Sequence, residues 1–386
     1  MSKREPKNFI TALLIGVLGM IVYGFIRPYI VFRSFEEYGL LAVASLTAGF
    51  MLARAFSSLY SGLLISSKGY GFTGSSGLFL LAITYYVYTV VPVNIYPIVR
   101  IIEGFASGLL WPSIQALVVS SVPSNWRARG LSIYFVLGSI AYYFSVWVAS
   151  PIRYIIGYNG LFITSISIII CMAVIYGLIM WKVKPSYSVG KIKFSIYYKL
   201  FRKTTDLIPV AVVMGGVGGL SLDYLLAYAR DISGFNRDLA RLYWSYAGYL
   251  GLMLSLFFSY LADKYGGEKI NYGVAYIVSI SLIAIAIPTN PLVLYSLLSL
   301  PMIGNRIFKP VIRSTMVSRT YEKELAITYT NMLTNIGAAI VTISIALINY
   351  FINIQFNIGL IIYSIISIVS ITFVYLKFSR QGTSEE

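Results

Sequence analysis

The sequence predicts an all-α integral membrane protein with twelve transmembrane helices in two pseudo-symmetric six-helix halves. Three observations predict this fold: the composition, the length of the apolar runs, and a weak internal repeat. The 386-residue chain is 58% hydrophobic, only 11% charged, and has a mean hydropathy of +0.78. Its apolar runs of about 20 residues match a hydrocarbon layer roughly 30 Å thick. Helix is required there because lipid offers no partner to backbone polar groups.

Twelve spans are predicted and are numbered here in chain order. They cover residues 9–31, 40–64, 73–93, 95–121, 130–152, 160–181, 207–230, 239–262, 270–288, 291–317, 325–350 and 356–377. The basic N-terminus, "MSKREPKNFI", leads into the first run without a small-residue cleavage site. We therefore expect an uncleaved first span rather than a signal peptide.

The charges of the loops predict the orientation of the bundle. If the spans alternate in direction, one side carries the Lys and Arg residues at 3, 4, 7, 68, 127, 129, 182 through 203, 264, 269, 319, 323, 377 and 380. By the positive-inside rule both termini are expected in the cytoplasm, in a multi-pass protein of the plasma membrane. The net charge of +16 is then mostly a topology signal. Nucleic-acid binding is not expected, because it needs a clustered basic surface on a soluble domain.

The longest polar interruption divides the chain near its middle. The segment "KVKPSYSVGKIKFSIYYKLFRK" begins at Lys182 and separates the sixth and seventh spans. The predicted organisation is an N-terminal half over 1–181, a cytoplasmic linker over 182–206 and a C-terminal half over 207–386. The linker is expected to place a short amphipathic piece on the anionic inner leaflet.

Two pairs of segments indicate a repeat. "WPSIQALVVSS" from Trp111 aligns with "KPVIRSTMVSR" from Lys309 at an offset of 198, and "SGLLISSKGYG" from Ser61 aligns with "FSYLADKYGG" from Phe258 at an offset of 197. The two offsets agree within one residue and equal the distance from span four to span ten. We therefore predict a parallel six-helix repeat.

The stretch "SYLADKYGGEK" resembles the loop between the second and third helices of each half in the major facilitator superfamily, written G-x-L-a-D-r-x-G-r-k. The matching residues are Leu261, Ala262, Asp263, Lys264 and Gly266. The first-half copy keeps Gly62, Leu64 and Gly69 but has Ser66 in place of the aspartate. A second family pattern, R-x-x-q-G in the fourth helix, is matched by Arg100 and Gly104, with Glu103 at the variable position.

The resemblance implies a secondary transporter that works by alternating access, with a central cavity lined by spans one, four, seven and ten. Asp263 is expected to accept hydrogen bonds from a facing helix end or arginine in one state and to lose them in another. With Ser66 in the other copy, the equivalent first-half contact is expected to be weaker or absent.

Charged residues inside the spans are the candidate site, because charge in lipid usually faces a wet path or a partner. Arg54 and Arg306 are the predicted primary substrate contacts, with Lys309 and Arg27 as further contacts. Arg313 is expected to extend to the headgroups. For the remaining charges two interpretations stay open at this point: headgroup contact or ion pairing for Arg100, and structural pairing or proton coupling for Glu103 and Asp223.

The predicted substrate is a small organic or inorganic anion, with a proton or another ion as the possible second partner. Alternatives are an exporter of hydrophobic or cationic compounds, although the antiporter pattern g-x-x-x-G-P-x-x-G-G is absent from "VLGSIAYYFSVWVAS", and a scaffold that has lost transport. An enzyme is not expected, since the chain has no histidine and one cysteine, Cys171, taken as buried. We expect no cofactor, no metal, no ATP-driven pumping, and a monomer in the bilayer.

Overall fold

The computed structural model describes residues 5–183, 185, 195–250, 252–287, 290–320, 322–352 and 356–382. Within these ranges the chain forms helices and turns with no strand. The predicted all-α class is therefore confirmed.

The helices follow the predicted spans. The α-helices are Glu5–Val90, Tyr96–Ser120, Arg127–Met180, Ser195–Lys203, Ile208–Gly219, Leu225–Ser233, Arg237–Tyr249, Leu252–Tyr265, Glu268–Ala286, Pro291–Ser318, Lys323–Ile352 and Phe356–Gly382. Short 3₁₀ turns cover Val93–Ile95 and Ser124–Trp126, and a π-helical turn covers Leu220–Tyr224.

Glycine kinks divide the longest helical runs into separate spans. Eight stretches of the described chain are long and apolar enough to cross a membrane. The first of them bends at Gly39 and Gly69, and the third bends at Gly157, all at positive φ, which glycine adopts without steric cost. Divided at these kinks, and with span eight formed by the two helices between 237 and 265, the described residues yield the twelve predicted spans.

The repeat has a counterpart in the backbone. Gly69 and Gly266, 197 residues apart, both end a span in the left-handed region, at φ 90° and 88°. Gly39 and Gly234 do the same at φ 71° and 66°, 195 residues apart. Glycines of positive φ therefore stand near equivalent points of the two sets of six spans.

Small residues bring some spans into backbone contact. A Cβ atom at Gly104 would overlap the Phe50 carbonyl, and one at Gly108 would lie 2.7 Å from the Arg54 carbonyl oxygen. In the last six spans a Cβ atom at Gly215 would overlap Thr334 in the same way. Such close packing is typical of membrane helices. It holds span two directly against span four, and span seven against span eleven.

The helix Ser195–Lys203 packs one face against the bundle. Tyr197 and Leu200 are buried, and the Tyr197 hydroxyl donates to the Leu59 carbonyl at 3.0 Å and lies 3.2 Å from Thr328 Oγ1. The buried face of this helix therefore packs on spans two and eleven, and contact of its exposed face with the inner leaflet stays a prediction. Residues 184 and 186–194 of the predicted linker lie outside the described residues.

Candidate functional site

A cavity of about 200 Å³ lies between the first six and the last six spans. Spans one, two, four and five line it from one side, and spans seven, eight, ten and eleven from the other. The lining of span eleven shows why these helices face inward: Asn331, Thr334, Asn335 and Ala338 follow the i, i+3, i+4, i+7 pattern of one helical face. Spans two, five, eight and eleven therefore line the cavity in addition to the four predicted helices.

Five cations line the cavity. They are Arg27, Arg54, Arg306, Lys309 and Arg313. All four predicted substrate contacts therefore line the same cavity. Among the described residues that line it there is no Asp or Glu. The geometry brings these residues together, and their role in binding stays a prediction.

Arg306 is positioned by a proline one turn further along span ten. Pro310 has no backbone N–H, so the Arg306 carbonyl lacks its helical partner, and the Ser255 hydroxyl donates to it at 3.0 Å. The Arg306 guanidinium lies 4.8 Å from the Tyr143 ring centroid, and its Nη1 donates to the Gly248 carbonyl. Its Nη2 has no hydrogen-bond partner in the described part of the chain. One side of this guanidinium is therefore available to a ligand.

Arg54 and Lys309 are half-buried and form no ion pair within the described ranges. The Nε of Arg54 is buried without a partner, and its guanidinium lies 5.8 Å from the Phe50 ring centroid. Arg54, Arg306 and Arg313 are all close enough to repel the Lys309 ammonium. The part of the cavity around these four cations consequently has a positive potential that no described carboxylate neutralises.

Arg313 is buried, and the expectation that it extends to the headgroups is wrong. Its side chain is 3% exposed. Its Nε donates to Gln115 Oε1 at 3.0 Å, its Nη2 to Asn331 Oδ1 at 2.8 Å and its Nη1 to the Lys309 carbonyl at 2.8 Å. Three acceptors compensate the desolvation of the guanidinium, which removes the reason to reach for water.

Asp223 joins span seven to the first six spans. It lies on the π-helical turn Leu220–Tyr224 and is fully buried. Its carboxylate accepts from Arg27 Nε at 2.6 Å and Nη2 at 3.1 Å, from Thr47 Oγ1 at 2.7 Å and from Arg100 Nη2 at 3.4 Å. Arg27 is therefore the one cavity cation, among the described residues, that has a carboxylate partner.

Glu103 is paired within the first six spans. Arg100 Nη1 donates to its carboxylate at 2.5 Å, and Tyr88 Oη donates to it at 3.0 Å. Arg100 is 1% exposed, so it forms ion pairs rather than reaching the headgroups. The structural pairing that was left open for Glu103 and Asp223 is thus observed, and proton coupling stays a prediction.

Asp263 makes the contact that its motif predicts. Its carboxylate accepts from the backbone N–H groups of Ala128 and Arg129 at 3.1 and 3.0 Å, and from Arg129 Nε at 3.1 Å. These donors belong to the first turn of the helix Arg127–Met180, where free N–H groups and the helix dipole favour an anion. Lys264 of the same motif is exposed. We call this end of the bundle, which carries the loops after the even-numbered spans up to span ten, the basic end.

The first-half copy has a contact of reversed polarity that no motif in the sequence indicates. Ser66 donates only to the Leu63 carbonyl, at 2.8 Å, so the aspartate contact is absent as expected. Tyr70 Oη instead donates to Glu324 Oε1 at 2.9 Å, and Glu324 is 3% exposed in the first turn of span eleven. The acid here lies on the facing helix rather than on the loop. Span eleven is the second-half equivalent of span five, so an inspection of its first turn for acidic residues would have found Glu324.

Ion pairs also join the two sets of spans at the opposite end of the bundle. Glu36 pairs with Arg230 at 2.8 Å and accepts from Arg237 Nε at 2.8 Å. Asp238 accepts from Ser150 at 2.5 Å and pairs with Arg153 at 3.5 Å. Partial burial raises the pKa of Asp238, but the Ser150 hydrogen bond and the Arg153 charge outweigh it and lower that pKa overall. Polar contacts between the two sets of spans therefore occur at both ends of the cavity.

Comparison with known proteins identifies the family. The profile of the Major Facilitator Superfamily matches residues 9–342. The chain belongs to the major facilitator superfamily. No curated protein matches it.

Solved structures of the same fold cover nearly the whole chain of this superfamily member. The E. coli fucose:proton symporter FucP aligns at 15% identity and a TM-score of 0.73, over 97% of this chain and 99% of that one. The nucleoside transporter NupG aligns at 13% identity and a TM-score of 0.71, over 96% of this chain and 100% of that one. The human organic anion transporter MFSD10 aligns at 10% identity and a TM-score of 0.69, over 96% of this chain and 99% of that one. The predicted superfamily and its fold are therefore confirmed.

Proposed function

We propose that the chain is a secondary active transporter that moves a small anion across the plasma membrane by alternating access. The observation that carries this proposal is the group formed by Arg54, Arg306 and Lys309, which lines the central cavity without a described carboxylate partner. Uncompensated charges in a membrane protein cost several kcal/mol, about 2.5–3.5 on insertion scales. A bound anion offsets that cost.

The positions of the two arginines suit a substrate that couples the halves. Arg54 belongs to span two and Arg306 to span ten, so one anion can bind both sides of the cavity. Arginine holds a carboxylate or phosphate through two parallel hydrogen bonds, which adds orientation to affinity. In our proposal 1–181 and 207–386 move as two bodies around this anion, with 182–206 as the linker.

Gates at the two ends complete the cycle. The Asp263 and Glu324 contacts hold the basic end, which we assign to the cytoplasm together with both termini. The Glu36 and Asp238 contacts hold the opposite end. Each set is small enough to break when the other forms, which is what alternating access requires.

Asp223 is our candidate for proton coupling in preference to Glu103. Its partners Arg27, Thr47 and Arg100 all lie across the interface between the two sets of spans, so its charge state affects whether that interface is closed. The partners of Glu103 lie in its own set. A change of charge on Glu103 therefore reaches the other half only indirectly, through Arg100.

Uptake into proteoliposomes tests the proposal. The purified chain is reconstituted and offered radiolabelled phosphate, succinate and glucuronate, with and without an imposed proton gradient. We expect uptake of at least one anion, and a loss of more than tenfold in Arg306→Ala and Arg54→Ala. The matched control is Lys199→Ala, which removes an exposed cation from the helix Ser195–Lys203, called the linker helix below. Uptake of tetraphenylphosphonium with no anion uptake would instead favour the exporter, and no transport of any probe would favour the scaffold.

A further inference from the structure

The two sides of the cavity differ in chemistry. Six of the eight aromatic residues that line it come from the first six spans, and they are Tyr23, Trp111, Tyr134, Phe135, Tyr142 and Tyr143. Tyr23 packs edge to face on Trp111 with 5.8 Å between the ring centroids, so the two rings hold each other in place. This side therefore presents a rigid aromatic wall.

The last six spans present asparagines and three of the five cavity cations. All three asparagines of the lining are on this side: Asn305, Asn331 and Asn335. Asn331 is occupied, because it bonds to Arg313 and Gln115. Asn335 Nδ2 is buried without a partner among the described residues.

Two further polar groups that line the cavity on this side are also buried without a hydrogen-bond partner among the described residues. They are Trp244 Nε1 and Ser221 Oγ. Trp244 Nε1 and Asn335 Nδ2 can only donate. Buried donors in native proteins almost always have an acceptor, and the cavity that these residues line is where one can be supplied. These donors are additional to the cationic group.

We infer that the substrate is a compact ring-shaped anion that carries hydroxyl groups, such as a cyclic uronic acid or another polyhydroxylated ring acid. The inference rests on the proposed function. The charged group of the ligand binds Arg54, Arg306 and Lys309. One face of the ring packs on the aromatic wall, and the hydroxyl oxygens accept from Trp244 and Asn335. A few placed polar groups in an otherwise apolar pocket are the usual basis of such specificity.

Four ligands separate the features of this assignment. Quinate has the ring, the hydroxyls and the charge; cyclohexanecarboxylate lacks the hydroxyls; gluconate has an open chain; and myo-inositol lacks the charge. Thermal stabilisation of the purified full chain is measured across a concentration series of each, since a ligand that binds the folded state raises its stability. We expect quinate to act at a concentration at least tenfold lower than the other three.

The outcomes distinguish this inference from the proposed function. Equal potency of quinate and cyclohexanecarboxylate would overturn the role of the hydroxyls, and equal potency of quinate and gluconate would overturn the role of the ring. In either case the anion transporter would stand. Stabilisation by myo-inositol with none by any anion would overturn the proposed function, and this inference with it.

Two variants locate the recognition. Trp244→Phe retains an aromatic ring but removes the indole N–H, so quinate should bind about fivefold more weakly, the effect of one neutral hydrogen bond, while cyclohexanecarboxylate is unaffected. Asn335→Leu should weaken quinate binding by a similar factor and leave cyclohexanecarboxylate binding unchanged. The control for the second variant is Thr330→Val, a buried residue of the same span that does not line the cavity. Unchanged quinate affinity in both variants would contradict the assignment.

Discussion

Arg313 donates its Nε–H to Gln115 Oε1 at 3.0 Å, and the two residues are equivalent positions of the repeat, 198 residues apart. Residues related by a pseudo-two-fold axis can touch only close to that axis. The contact therefore marks where spans four and ten meet at the centre of the bundle. Asn331 joins it from span eleven, so three helices share one polar cluster on the basic-end side of the cavity.

Replacement of Arg313 by lysine should destabilise the protein. An ammonium is a point donor and cannot bond Gln115 and Asn331 together as the guanidinium does. The loss of one hydrogen bond to a charged group corresponds to about 1.5–3 kcal/mol in the free energy of unfolding. Thermal unfolding of the purified variant measures this. Arg202→Lys, on the exposed face of the linker helix, is the control, and equal stability of the two variants would contradict the bridging role.

Asp223→Asn should separate stability from coupling. The variant leaves Arg27 and Arg100 without their shared carboxylate, and breaking a buried pair in this way costs about 3–5 kcal/mol. We expect a lower unfolding temperature and a loss of proton-driven accumulation, while exchange of labelled for unlabelled anion continues. Thr47→Val removes a single hydrogen bond to the carboxylate and should cost only about 1.5–3 kcal/mol, with coupling intact. Normal proton-driven accumulation in Asp223→Asn would return the coupling role to Glu103.

The two contacts at the basic end should be of comparable importance. Asp263→Asn weakens the contact with the start of span five, and Glu324→Gln weakens the contact with Tyr70. Each should reduce uptake severalfold with normal expression, whereas Ser66→Ala should have little effect because Ser66 bonds only within its own helix. Uptake assays of the three variants in proteoliposomes make the comparison. A wild-type rate in Glu324→Gln would show that the first half lacks a gate.

The orientation of the bundle can be tested by labelling. Single cysteines at Lys199 and Asn290, both exposed, lie at opposite ends of the bundle and should react with an impermeant maleimide from opposite faces of intact cells. The background is Cys171→Ser, which is needed because Cys171 is exposed and not buried as expected. Labelling of both positions from the same face would overturn the alternation of spans between them.

The contact made by Asp238 should depend on pH. Because its pKa is lowered in the folded protein, its contribution is present above the ordinary carboxyl pKa of about 4 and is lost as the pH falls through the lower folded value. The difference in unfolding temperature between wild type and Asp238→Asn should therefore be constant from pH 7 to 5 and disappear in stronger acid. A difference that persists unchanged at pH 3 would exclude a charged contact with Ser150 and Arg153.

The spans, the repeat and the cavity cations could be predicted because they depend on composition and on periodic patterns. Hydrophobic length fixes a span, and intramembrane charge is costly enough to point inward wherever it occurs. The partner of each charge could not be predicted, because it depends on which helices face each other. Arg313 shows this: its position near a span end suggested headgroup contact, but Gln115 and Asn331 lie beside it. The donors Trp244 and Asn335 carry no charge and match no motif.

The linker helix gives access to the transporter from outside its cavity. Tyr197 holds spans two and eleven together at the basic end, while Tyr198, Lys199 and Phe201 on the same helix are exposed. An antibody fragment that recognises the exposed face would fix the helix in place, and with it the two spans that separate in the proposed cycle. Such a reagent would arrest the cycle without competing with substrate, which makes this short helix a target for noncompetitive inhibitors.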